Sequence, residues 1–111
     1  MSMASRPQGE GPAHWTDEDL VALEQQEGDG RGWTELERRY AAWRDALVAL
    51  VAQVWRLSAA DLADARQEAA LASQEAIRRF DRARGEPAEG GRFRAFLQQV
   101  VTGRVLNYCR D

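Results

Sequence analysis

Asp61, Asp64, Gln67, Glu68, Leu71 and Glu75 have types and a spacing that suit recognition. At about 100° per residue, Asp64, Glu68, Leu71 and Glu75 fall on one side of a helix, at i, i+4, i+7 and i+11. Asp61 and Gln67 flank them. A solvated acidic surface is the plain reading of such a face. Leu71 at its centre argues for more, because an apolar anchor inside a polar rim is how protein-docking faces are built. The partner surface it calls for is basic. Bond-making chemistry has no comparable candidate. The chain contains no Gly-rich phosphate loop and no nucleophile–base pair, so an enzyme is not expected. His14 is the only histidine and has no cysteine cluster near it, so neither a zinc site nor another cofactor is expected. Cys109 is the only cysteine and cannot form an internal disulfide, which suits a reducing cytoplasm.

The element that must present the acidic face runs from Ser58 to Phe80. It opens on a capping box, Ser58 with Asp61, and then meets no Gly or Pro until Gly85. Alanine is its commonest residue, which favours helix at each step. Its other side, Leu62, Ala65, Ala69, Ala72, Ala76 and Phe80, is apolar and predicts core packing.

Three further helices are expected around it. Residues 1–15, with Pro7, Pro12 and several glycines, read as a flexible tail ahead of a helical domain over 16–111. Thr16 opens a second capping signature and predicts a short helix over about 17–27, with Asp17, Glu18 and Asp19 at the positive end of its dipole. The run GDGRG at 28–32 ends it. Leu36, Tyr40, Trp43, Leu47, Leu50, Val54 and Leu57 then recur at steps of 4 and 3, a continuous apolar stripe on a long helix. A coiled-coil dimer and packing within one helical domain both fit the stripe, and packing is preferred because neighbouring segments also have apolar faces to cover. Trp43 is expected in the core, Trp33 and Trp55 partly exposed, and Arg38, Arg39, Arg44 and Arg56 on the outer side. After a Gly- and Pro-rich loop at 81–91, a last helix over about 92–109 places Phe93, Phe96, Leu97, Val100, Val101 and Tyr108 on one broad side. The fold class is therefore all-α, a compact bundle of about four helices.

Charge is divided along the chain. The net charge of −3 gives no whole-molecule attraction to nucleic acid. Yet Arg92 to Arg110 carries arginines and no acid, so a local basic patch is available. All fifteen basic residues are arginine, which is taken as compositional. No stretch is long enough to span a membrane, and nothing at the N-terminus reads as an apolar signal core, so a cytoplasmic protein without membrane contact is expected.

The runs DLADARQEAAL (61–71), IRRFDRARG (77–85) and GRFRAFLQQV (91–100) together resemble region 2 of bacterial RNA polymerase sigma factors. The likeness is to the extracytoplasmic-function group of the sigma-70 family, and it reaches back to about Thr16. The resemblance implies a transcription initiation module. Asp61, Asp64, Gln67, Glu68 and Leu71 would bind the clamp helices of the largest subunit of core RNA polymerase. Residues 81–98 would recognise and melt the −10 promoter element, with Arg82, Arg84, Arg92, Phe93, Arg94 and Gln98 on the non-template strand. It also admits an anti-sigma factor as a further partner. The alternative is a sigma-like helical domain acting as a protein–protein adaptor or regulator without promoter reading. The net acidity and the acids Glu86 and Glu89 in the loop favour that alternative, since carboxylates repel a phosphate backbone.

Overall fold

The computed structural model describes residues 11–81 and 91–110. Among the described residues, four helices follow a 3₁₀ turn at Pro12–His14: α1 (Asp17–Glu27), α2 (Arg31–Trp55), α3 (Ala59–Arg79) and α4 (Arg92–Arg110). No strand occurs among the described residues, and the chain is an all-α bundle. No helix among them is long and apolar enough to cross a membrane.

The capping predictions hold at both helix starts. The Thr16 hydroxyl accepts the Asp19 N–H at 3.1 Å, and the Ser58 hydroxyl accepts the Asp61 N–H at 3.1 Å. The α1–α2 turn is shorter than GDGRG suggested. Gly28 and Gly30 take positive φ and close it, while Arg31 and Gly32 are already inside α2. Gly32 is buried where α2 meets α1, and a Cβ there would press on the Leu20 carbonyl oxygen.

α1 reaches three helix ends with its side chains. Glu24 accepts the Trp33 N–H at the start of α2 (3.1 Å). Glu18 accepts the Phe93 N–H at the start of α4 (3.0 Å). Gln25 donates to the Ile77 and Phe80 carbonyls at the end of α3 (2.8 and 3.0 Å). Helix termini leave backbone groups without intrahelical partners, and α1 supplies several of them. Arg39 in turn donates to the Ala13 and Trp15 carbonyls, so the packed region reaches back to Trp15, inside the stretch read as tail.

The core joins the faces expected of α3 and α4. Ala65, Ala69, Ala72 and Ala76 are fully buried and let α4 approach closely through Phe93, Leu97, Val101 and Val105. The α2 stripe departs from expectation. Its first half is covered, with Leu36 buried beneath α1. Its second half is not: Leu50 is 59% and Val54 69% exposed, while Val48, Val51 and Ala52 point inward instead. The reason is that α1 is short. It covers one side of α2 near Leu36 and is absent further along, where only α3 and α4 remain to pack against. Arg44 is corrected for the same reason. It is buried, not on the outer side; it pairs with Glu37 at 2.5 Å and approaches the Ser73 hydroxyl of α3 at 3.4 Å. Arg39 is also drawn inward, to Asp17 and Glu35, while Arg38 and Arg56 stay exposed.

Candidate functional site

The outer side of α3 presents most of the predicted docking residues. Asp61, Asp64 and Gln67 are exposed, and Leu71 keeps 45% of its surface open although α3 has a large apolar side to bury. Glu68 is different. Arg104 of α4 donates to Glu68 at 3.1 Å and also to Glu75, bridging the two acids. Tyr108 sits one turn further along α4, its hydroxyl 3.5 Å from carboxylate oxygens of both Asp61 and Asp64. Burial and those two negative charges push its phenol pKa up, so it stays a neutral donor. The acidic face therefore divides into an edge ion-paired to α4, Glu68 and Glu75, and a more exposed part, Asp64, Gln67 and Leu71, of which α4 touches only Asp64, through Tyr108. Nothing in the sequence alone marks Arg104 as the tie. The available signal is that Glu68 and Glu75 are two turns apart on the edge that meets a basic helix.

The predicted nucleic-acid residues fall into three groups. Arg82 and Arg84, with Glu86 and Glu89, lie outside the described residues. Phe93 is fully buried, with Phe80 at 5.4 Å and Tyr40 at 6.5 Å in edge-on contact. It matches the core expectation and leaves no ring face for a strand. Arg92 is half-buried at the start of α4, whereas Arg94 is exposed and Gln98 partly so.

Arg94 and Gln98 face α2 across a cleft of about 300 Å³ that Arg39, Tyr40 and Trp43 complete. Two of its members are already committed. Arg39 pairs with Asp17 at 2.7 Å and Glu35 at 2.9 Å, and the Tyr40 hydroxyl donates to Asp17. Burial and that carboxylate push the Tyr40 phenol far above its ordinary range. Arg94 makes no ion pair among the described residues, and Trp43 packs against the core, as its stripe position predicts, while its partly buried indole also lines the cleft. α4 thus turns one edge to α2, carrying Arg94 and Gln98, and the other to α3, carrying Arg104.

A larger groove lies elsewhere, between the α1–α2 turn and the end of α3. Trp33, Ile77 and Phe80 line it, and Glu24, Asp29 and Asp81 outnumber Arg78 on its walls, which does not suit a phosphate. No group of three or more His, Cys, Asp or Glu side chains able to hold a metal occurs among the described residues. Cys109 is half-buried, and its thiol pKa is pushed up by burial and by Asp61, which favours the thiol over the thiolate. Comparison with protein-family models, with curated proteins and with solved structures gave no match to this chain.

Proposed function

We propose that this chain is a sigma region 2-like module of the cytoplasm that binds and does not catalyse. The open part of α3 docks on the clamp helices of core RNA polymerase, and the start of α4 engages the non-template strand of the −10 element. The observation that carries the reading is Leu71. It is a large apolar residue left 45% exposed between Asp64, Gln67 and the Arg104-bridged acids. Such a residue adds nothing to the core and fits an anchor whose polar surround sets orientation. The two faces lie on different sides of the bundle, so polymerase and strand can be held at once. Binding of bases extruded from a duplex offsets an unstacking cost of a few kcal/mol per base, so capture needs no covalent step.

The test is titration of the chain with an isolated clamp-helix fragment. Gln67→Ala/Leu71→Ala is expected to weaken binding at least tenfold, because it removes the anchor and its exposed polar neighbour without touching the core. Equal affinity of the double variant and the wild type refutes the assigned face. A specific observation favours the adaptor reading: Arg104 already occupies Glu68, one of the family-like docking residues, and Phe93 is withdrawn from solvent. No clamp-helix binding at high micromolar concentration selects that reading.

A further inference from the structure

We propose that the α2–α4 cleft holds a single nucleotide of a DNA strand, with Trp43 as the platform for its base, Gln98 on the base edge and Arg94 on the adjoining phosphate. This rests on the nucleic-acid half of the proposed function and adds to it a stacking residue on α2. The cleft's five lining residues include one indole, one phenol ring, one carboxamide and two guanidinium groups. Its volume of about 300 Å³ is at the lower end for sites that take a small organic group. It is of a size for one nucleotide.

The commitments inside the cleft decide which groups remain for a ligand. Arg39 is held by Asp17, Glu35 and two carbonyls, so it forms a fixed wall. Tyr40 spends its hydroxyl on Asp17 and offers only its ring. That leaves an exposed cation, an amide with both a donor and an acceptor, and an indole seated on the core that still lines the cleft: Arg94, Gln98 and Trp43. An indole beside a guanidinium and an amide is the arrangement single-strand binding proteins use, because any base has a π-face while the phosphate needs a cation. A free phosphate would satisfy Arg94 alone and leave Trp43 without a role. An acidic peptide would likewise satisfy Arg94 through a carboxylate and leave Trp43 without a role.

The experiment measures affinity of the full chain for a labelled single-stranded 10-mer DNA by fluorescence anisotropy, at several salt concentrations. Trp43→Ala is expected to weaken binding about tenfold, the usual effect of removing one stacking ring, and Trp43→Phe to restore most of it. Trp55→Ala, at the exposed far end of α2, serves as the control and is expected to bind like wild type. On a strand of the same length carrying abasic sites, Trp43→Ala is expected to have no further effect, a result that a merely structural role for Trp43 would not produce. Arg94→Ala is expected to flatten the salt dependence by roughly one phosphate contact. If Trp43→Ala binds like wild type while Arg94→Ala is weakened, strand binding stands and the cleft assignment is overturned. If the wild type does not bind the strand, the cleft and strand capture fall together, while docking on polymerase is judged by its own titration. If Trp43→Ala impairs clamp-helix binding and leaves DNA affinity unchanged, the cleft belongs to a protein ligand and the proposal is overturned.

Discussion

Replacing glycine by alanine should have opposite signs at two positions of this chain. Both Gly32 and Gly103 lie inside helices, where alanine is better by about 1 kcal/mol on propensity alone. At Gly103 a Cβ meets nothing within 4 Å, so the gain is kept. At Gly32 the added Cβ lies hard against the Leu20 carbonyl oxygen and 3.1 Å from the Glu24 Cβ and 3.3 Å from the Glu24 nitrogen. Leu20 O and Glu24 N are backbone atoms, so no side chain can swing aside; α1 must retreat as a unit, by on the order of 1 Å. That helix carries Leu20, Val21 and Leu23, which are 0%, 1% and 1% exposed. Burial of three such side chains is worth roughly 6 kcal/mol. A gap of this size forfeits about a quarter to a half of the contact energy, or roughly 2 kcal/mol. Stretching the Glu24 bond to the Trp33 N–H adds up to about 1 kcal/mol. After the propensity gain, Gly32→Ala should be destabilised by about 2 kcal/mol and Gly103→Ala stabilised by about 1 kcal/mol. Urea denaturation followed by far-UV circular dichroism should show the two midpoints displaced in opposite directions from wild type, with equal slopes. If both variants shift the same way, close approach of α1 to α2 does not set this crossing.

Two further outcomes are expected. Arg104→Ala should cost about 1 kcal/mol of stability, since its ion pairs are partly exposed. It should also tighten clamp-helix binding at low salt by freeing Glu68, whereas Glu75 keeps its pair with Arg79, and a loss of affinity in that titration would instead put Arg104 in the interface. The paired guanidinium groups of Arg38 and Arg39 hold the Glu35 carboxyl down at about 2, from an ordinary value of 4.5, with Arg38 the larger cause. A depressed carboxyl stabilises the fold fully above its unfolded value and loses that contribution as pH falls toward the folded one. The stability gap between wild type and Glu35→Gln should therefore narrow from pH 5 to pH 2, and a gap that stays constant in urea midpoints over that range would contradict the pairing.

Local chemistry was legible in the sequence where one element decided it alone. Thr16 and Ser58 mark their helix starts because capping needs only neighbours in the chain. The alanine side of α3 follows from its period, and so does exposure of Asp64, Gln67 and Leu71 on the opposite side. What depended on a second helix was not legible. The stripe on α2 runs unbroken to Val54, yet its cover depends on the length of α1, so Leu50 and Val54 emerge bare and Val48 goes inside. Arg44 reads as surface until Glu37 and Ser73 are seen to receive it. The tie from Arg104 to Glu68 spans thirty-six residues, and the meeting of Trp43 with Arg94 needs α2 and α4 side by side.

The four bonds that α1 makes to three other helix ends have a consequence for motion. A helix terminus ordinarily frays on its own, opening a turn without disturbing the rest of the fold. Here the start of α2, the start of α4 and the end of α3 all lean on side chains of one eleven-residue helix. Loosening α1 releases all three together, and none is fully free while α1 is seated. Opening at this end of the bundle becomes one collective event with a single free energy. The start of α4, where Arg94 lies, takes its steadiness from Glu18, at the opposite end of the sequence.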